Sequence, residues 1–168
     1  MKKVVVSLLA VFFFIIIAGT FFTRNVVFKL NYEDKLEKYA KDYNIDPTIL
    51  AGVIYFENNF TDINDEYKKG EAVGPFNLKD TKVEQYAKEM GIKNFKKEDI
   101  EDIDINIKIG AWYISRHFKD NDYKGLAAAW IERNSSQDDK IKNYAKQYYG
   151  DKIKRNAQIY KIVHPELR

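Results

Sequence analysis

The sequence predicts an all-α domain, with at most one small β-hairpin, that follows a single transmembrane helix. Residues 4–22 form an uncharged apolar run, close to the roughly 20 residues that span a bilayer as a helix. Beyond residue 30, apolar residues recur at helical spacing, and no run alternates apolar and polar residues as a half-buried strand does. We therefore divide the chain into an anchor with a short stalk (1–30) and one helical domain (31–168).

The first segment is predicted to be an uncleaved signal anchor. Lys2 and Lys3 form a short positive start, and positive residues favour the cytoplasmic side of a membrane. A cleaved signal has a shorter apolar core and an A-x-A-like site, whereas Ala18-Gly19-Thr20 provides only small residues. We expect the domain outside the cell membrane, with secretion after cleavage as the alternative. Residues 23–31 resemble a short stalk.

Helix boundaries in the domain follow from local signals. Leu36, Tyr39, Ala40 and Tyr43 share helical spacing in a charged background. Asp46 suits an N-cap and Pro47 suits the first turn, so a mostly buried helix is predicted from Pro47 to about Asn58. Further helices are predicted at 81–90 (with Gly91 after its end), 105–118, around 126–131 and within 144–163. Residues 70–74 form a predicted loop, and a small hairpin is allowed within 62–72.

Charge and composition exclude several classes of function. Lys2, Lys3, Arg24 and Lys29 lie in the first thirty residues, which leaves 24 basic against 25 acidic residues in the domain. The domain is therefore almost neutral, and its sequence shows no basic stripe of the kind that binds nucleic acid. The chain has no Cys and two unclustered His, so no metal site or cofactor is predicted. The absence of Cys and the Lys, Ile, Asn and Tyr bias suit an extracytoplasmic protein of an AT-rich Gram-positive bacterium.

Glu57 is the candidate for chemistry. It follows Val53, Ile54, Tyr55 and Phe56 near the end of the predicted buried helix. A carboxyl group against apolar surface holds a proton more readily, which suits a general acid for a glycosidic oxygen. From this stretch alone, a Glu at a helix end facing solvent is the favoured interpretation.

Five stretches, taken in order, carry a resemblance. They are YAKDYNIDPTILAGVIYFENNF (39–60), GEAVGPFNL (70–78), INIKIGAWYIS (105–115), LAAAWIERN (126–134) and YYGDKIKRNAQIY (148–160). Their order and spacing resemble the catalytic domain of soluble-type lytic transglycosylases, members of the lysozyme-like superfamily. The resemblance implies a lysozyme-like fold and a peptidoglycan substrate, with the membrane and proteins of an envelope machine as further partners.

The resemblance also implies roles for individual residues. Glu57 matches the single catalytic acid/base, which protonates the leaving oxygen and then deprotonates the muramic 6-hydroxyl to give a 1,6-anhydro product. Tyr149, with Tyr144 as the alternative, matches a terminal-helix Tyr whose hydroxyl bonds to the catalytic Glu. The substrate-binding positions carried over are Asn58, Gly74, Phe76, Asn77 and Trp130.

The chain departs from the family pattern at several of these positions. Asn58 stands in place of Ser, Asn77 in place of Gln, and Trp130 in place of Tyr, as a sugar-facing aromatic or a core residue. Ile131 stands where a substrate-binding Asn is expected, with Glu132 and Arg133 in place of Ala-Gly.

Two alternatives to a lytic transglycosylase stay open at this stage. Asp62, Asp65 or Glu66 is a candidate second carboxylate that would hold a water and make the enzyme a hydrolase. The departures also suit a relative that binds glycan or a partner protein without cleavage.

Overall fold

The domain is built from helices joined by loops. A computed structural model describes residues 2–61 and 63–167. Within that part of the chain the α-helices are α1 (Lys2–Phe22), α2 (Glu33–Tyr43), α3 (Pro47–Asn58), α4 (Val83–Glu89), α5 (Ile103–His117), α6 (Tyr123–Ile131), α7 (Asp139–Tyr144) and α8 (Gly150–Val163). Two π-helical segments, Thr23–Val27 and Ala145–Tyr149, continue α1 and join α7 to α8, and a 3₁₀ segment spans Lys97–Glu101.

The all-α prediction is confirmed. In the described residues the only β pairing is an isolated antiparallel bridge between Val73 and Leu78. This bridge closes the tight turn 74–77, so the paired residues lie just after the stretch in which a hairpin was allowed. Asp62, the first residue of that stretch, lies outside the described residues.

Helix α3 places the candidate residue Glu57. Asp46 caps it as predicted, with its side chain accepting from Thr48 N at 2.9 Å and Pro47 in the first turn. The helix is buried from Pro47 to Ile54. Gly52 allows α8 to approach closely, because a Cβ there would lie 2.7 Å from the backbone nitrogen of Ala157. Packing around the buried first two turns therefore fixes α3, and its last turn presents Glu57.

Helix α4 is shorter than the predicted 81–90. It begins at Val83 because tertiary contacts hold the two preceding residues. The Thr81 hydroxyl donates to the carbonyl oxygen of Asn134, and Lys82 Nζ donates to the carbonyl oxygen of Glu132 at 2.8 Å. The predicted end is confirmed, since Gly91 follows the helix with a φ of +71°.

Helix α1 is long and apolar enough to cross a membrane. The qualifying stretch is Ser7–Val27, and none of it is buried inside the protein. A core helix of a soluble domain would be mostly buried, so that interpretation does not fit this segment.

The segment after α1 is attached to the domain rather than free. The Phe28 ring stacks on Tyr55 with centroids 4.6 Å apart. His164 Nε2 donates to the carbonyl oxygen of Phe28 at 2.6 Å, while its Nδ1 lies 3.0 Å from Glu166 Oε1. The same carboxylate accepts from Arg24 at 2.5 Å. We call these contacts the C-terminal clasp, which ties the residues after the anchor to the end of α8.

Candidate active site

The site forms where the last turn of α3, the turn 73–78 and the end of α6 meet. Glu57 lies on α3, and its side chain is 12% exposed. Asn77 lies in the turn in a left-handed conformation, with φ +46°. Trp130 and Arg133 lie at the end of α6 and just after it. Three segments distant in sequence thus converge on one carboxylate.

Three donors hold the Glu57 carboxylate. Trp130 Nε1 donates to Oε1 at 2.6 Å. Arg133 Nη2 and Asn77 Nδ2 donate to Oε2 at 2.7 Å and 3.1 Å. A carboxylate offers about four acceptor positions, so one position on Oε1 stays unused by the described residues. That position is where Glu57 can carry or receive a proton.

Arg133 is the buried counter-charge of Glu57. Its side chain is 9% exposed, and its guanidinium lies 4.3 Å from the Trp130 ring centre. Further donations go to the carbonyl oxygens of Phe76 (3.2 Å) and Trp130 (3.0 Å). Burial lowers the pKa of Arg133, and the Glu57 carboxylate opposes that change. Each nitrogen of the guanidinium has a hydrogen-bond acceptor, as a buried ion pair requires.

The turn 73–78 is held from beneath by Asn106 of α5. This fully buried amide donates to the carbonyl oxygens of Val73 and Ile100, both at 2.9 Å, and accepts from Phe76 N at 3.0 Å. Gly74 has φ +74°, and a Cβ there would lie 2.3 Å from Asn106 Nδ2. Only glycine fits this approach, so Gly74 shapes the turn that presents Asn77.

Phe76 and Trp130 lie in the core. Both are fully buried, and their rings pack edge to face with centroids 5.6 Å apart. Of the two interpretations of Trp130, the structure shows the core residue, and its only polar atom reaches Glu57. Neither ring presents a face to a sugar in this conformation.

Asn58 also faces inward. It is 6% exposed, donates to the carbonyl oxygen of Pro75 at 2.9 Å, and accepts from Phe60 N at 3.1 Å. Asn58 therefore ties the end of α3 to the turn. Its contacts are structural, whereas the resemblance implied that this position binds substrate.

Tyr149 lies beside the site without the predicted bond. Its ring packs on Phe56 at 5.1 Å and on Tyr144 at 5.4 Å. Among the described residues, the hydrogen bonds to Glu57 come from Trp130, Asn77 and Arg133 rather than from its hydroxyl. The charged group that bonds to the Glu57 carboxylate in this structure is Arg133.

Sequence reasoning missed Arg133 and Asn134 as site residues. Asn134 donates to the carbonyl oxygen of Asn77 at 2.8 Å and accepts from Lys79 N at 2.9 Å, so it holds the turn from the other side. A usable signal was present: Arg133 and Asn134 follow Trp130 at the three- and four-residue spacing of one helix face. An Arg that continues an apolar face needs acceptors for its donors, and a carboxylate is one of them.

Two of the three candidate second carboxylates lie on the surface. Asp65 and Glu66 are exposed, and Glu66 pairs with Lys68 at 3.3 Å. Asp62 lies outside the described residues.

Fold and site together define a class: a helical domain in which a carboxylate at the end of a buried helix meets a tight turn and a second helix. The sequence profile described as "Transglycosylase SLT domain" matches residues 34–152, well over half of the chain. The chain belongs to this family, within the lysozyme-like superfamily, and the resemblance drawn from the sequence is confirmed. No curated protein matches it. Family membership supports a peptidoglycan-acting function of the lytic transglycosylase type.

Proposed function

We propose that this protein is a membrane-anchored peptidoglycan lytic transglycosylase with Glu57 as its single acid/base. The bond cleaved is the β-1,4 link from N-acetylmuramic acid to N-acetylglucosamine. The observation that carries the proposal is the carboxylate of Glu57, partly exposed, held by three donors and retained within the segment that matches the family.

The reaction uses the one free acceptor position of Glu57. A proton on Oε1 passes to the glycosidic oxygen as the bond to the muramic anomeric carbon breaks. The resulting carboxylate then takes the proton of the muramic 6-hydroxyl, whose oxygen bonds to the anomeric carbon. The products are a 1,6-anhydromuramic end and a free 4-hydroxyl on N-acetylglucosamine. The proton returns to Glu57, and no water is consumed.

The hydrolase alternative needs a second carboxylate. Glycosidases that hydrolyse generally use two carboxyl groups flanking the bond. The three described partners of Glu57 are two neutral donors and a cation, and Asp65 and Glu66 are exposed on the surface. This arrangement favours the intramolecular route over an activated water.

The anchor gives the proposed enzyme its location. Helix α1 has the length and hydropathy of a single span, and Lys2 and Lys3 favour a cytoplasmic amino terminus. The domain then lies on the outer side of the membrane. Cleavage would be confined to the wall close to the membrane, with secretion after signal cleavage as the alternative.

A second candidate function, glycan binding without cleavage, is favoured by the ion pair. All three partners of Glu57 are donors, an arrangement that suits a permanently ionised, acceptor-only carboxylate. A carboxylate that never carries a proton cannot protonate a leaving oxygen. Binding of glycan strands, as part of an envelope assembly, would then be the retained activity.

The test compares the full-length protein in detergent micelles with two variants, Glu57→Gln and Glu71→Gln. Glu71 is an exposed residue near the same turn and serves as the matched control. Each protein is incubated with purified peptidoglycan, and soluble muropeptides are identified by mass spectrometry. We expect anhydro-muropeptides from wild type and Glu71→Gln and none from Glu57→Gln. Reducing-end products would indicate the hydrolase, and binding to sacculi without any product would indicate the second candidate.

A further inference from the structure

Arg133 links every part of the candidate site. Its guanidinium donates to the Glu57 carboxylate at 2.7 Å, to Phe76 in the turn at 3.2 Å and to Trp130 on α6 at 3.0 Å. Its own carbonyl oxygen accepts from the Tyr86 hydroxyl of α4 at 2.7 Å. No other described residue donates to the carboxylate, the turn and α6 together. Arg133 therefore couples the orientation of Glu57, which Trp130 and Asn77 also hold, to the turn and to α6.

We propose that Arg133 is the positioning residue for Glu57 and sets the pH range in which that carboxylate works as an acid. The inference rests on the proposed function and deepens it. Arg133 acts through Glu57 rather than on substrate, because its side chain is almost fully buried behind the carboxylate.

The physical reason is the charge that develops on Glu57 during the first proton transfer. When the proton leaves Oε1, a full negative charge forms on the carboxylate. A fixed cation and two aligned N–H donors stabilise that charge as it develops, which speeds proton donation. The same cation favours the ionised form in the resting enzyme. The charge that aids proton donation therefore also bears on the pH range in which Glu57 can donate.

Several titratable groups surround the pair of Arg133 and Glu57. Tyr86 on α4 and Tyr113 on α5 face the pair, and burial raises the pKa of Tyr86 to about 12 and that of Tyr113 further. Glu132, next in the chain, lies 3.8 Å from Lys142 Nζ on α7. His117 on α5 packs on the Tyr113 ring with centroids 4.5 Å apart, and burial lowers its pKa. The Glu57→Gln variant is therefore needed to separate its contribution from that of Glu57.

The test uses full-length protein with Arg133→Gln, which keeps an amide donor without the charge, and Arg133→Lys, which keeps the charge without the planar fork. Arg155→Gln, at an exposed position on α8, is the matched control. Anhydro-muropeptide release is measured as a function of pH. We expect Arg133→Gln to lower the maximal rate about 100-fold and to move the alkaline fall of the profile to higher pH by about one unit or more. Arg133→Lys should keep the wild-type profile at a reduced rate.

A second readout does not depend on turnover. The chain has two Trp residues, so the indole N–H region of a ¹⁵N NMR spectrum holds two resonances, and Trp130→Phe assigns them. The Trp130 indole donates to Glu57, so its shift should follow the titration of that carboxylate. We expect the midpoint of this pH-dependent change in shift to be higher in Arg133→Gln than in wild type. The change itself should be absent in Glu57→Gln.

The outcomes separate the two proposals. A wild type that releases no product overturns the proposed function and the catalytic part of this inference with it. An active wild type, together with an Arg133→Gln variant whose pH profile and Trp130 midpoint are unchanged, overturns the positioning role alone. If Arg133→Gln fails to fold, both indole resonances leave their native positions, and Arg133→Lys then decides. A wild-type pH profile of muropeptide release by Arg133→Lys supports the inference, and a profile displaced along the pH axis contradicts it.

Discussion

The sharpest prediction about the architecture of the site compares two glycines in the same loop. Gly70 and Gly74 both have left-handed backbones, with φ +83° and +74°. An Ala in this region costs about 1–2 kcal/mol of strain at either position. A Cβ at Gly70 meets nothing within 4 Å, whereas a Cβ at Gly74 lies 2.3 Å from Asn106 Nδ2. Comparing Ala substitutions at these two glycines therefore separates backbone strain from the contact with Asn106.

The added loss at Gly74 follows from what Asn106 does. To admit a methyl group the amide has to move, and it then weakens its bonds to Val73, Ile100 and Phe76. A buried polar group left without its partner costs about 1–3 kcal/mol. We expect Gly70→Ala to lower the free energy of unfolding by about 1 kcal/mol and Gly74→Ala by about 4 kcal/mol.

Urea unfolding of the full-length protein in detergent, followed by Trp fluorescence, measures both values. Because Asn77 sits in the displaced turn, Gly74→Ala should also reduce peptidoglycan cleavage while Gly70→Ala leaves it unchanged. Equal destabilisation by the two substitutions would refute the reasoning, since the contact with Asn106 would then contribute nothing beyond strain.

Three further predictions concern the site and the clasp. Trp130→Phe keeps a ring in the core and removes the donor to Glu57, so cleavage should fall about 10-fold or more, as for a bond to a charged group, with the far-UV circular dichroism of the fold unchanged. Tyr149→Phe removes a hydroxyl that does not bond to Glu57 in this structure, so muropeptide release should stay within about twofold; a large loss would restore the role that the resemblance implied. In the clasp, burial raises the pKa of Glu166, but its hydrogen bonds and the Arg24 charge outweigh burial and lower it below 4.5. Its stabilisation is therefore complete above its unfolded pKa and lost as pH falls through the lower folded value. The difference in unfolding temperature between wild type and Glu166→Gln should vanish in acid, and a difference that persists there would contradict the assignment.

Local signals predicted the fold well where they were strong. The Asp46-Pro47 start and the apolar run after it gave α3 its observed bounds, because capping and burial act within a few residues. Helix α4 was drawn too long, because Thr81 and Lys82 are held by Asn134 and Glu132, residues that no local pattern relates to them.

The candidate site was predicted only in part. Glu57 was a candidate from its apolar neighbours and received its acid/base role only from the resemblance, and its pairing with Arg133 joins residues 76 positions apart. Burial and hydrogen bonding decided that pairing, and neither can be read from spacing alone. For the same reason the residues after α1 were described as a stalk, although Phe28 and His164 lie in contact 136 positions apart.

The central claim is that Glu57 drives cleavage without water, and digestion of peptidoglycan in oxygen-18 water tests it most directly. Full-length wild type and Glu57→Gln are incubated in parallel, and the new muramic ends are examined by mass spectrometry. We predict anhydro ends without heavy oxygen from wild type and no cleavage by Glu57→Gln. Heavy oxygen at the new ends, or cleavage that survives Glu57→Gln, would contradict the account.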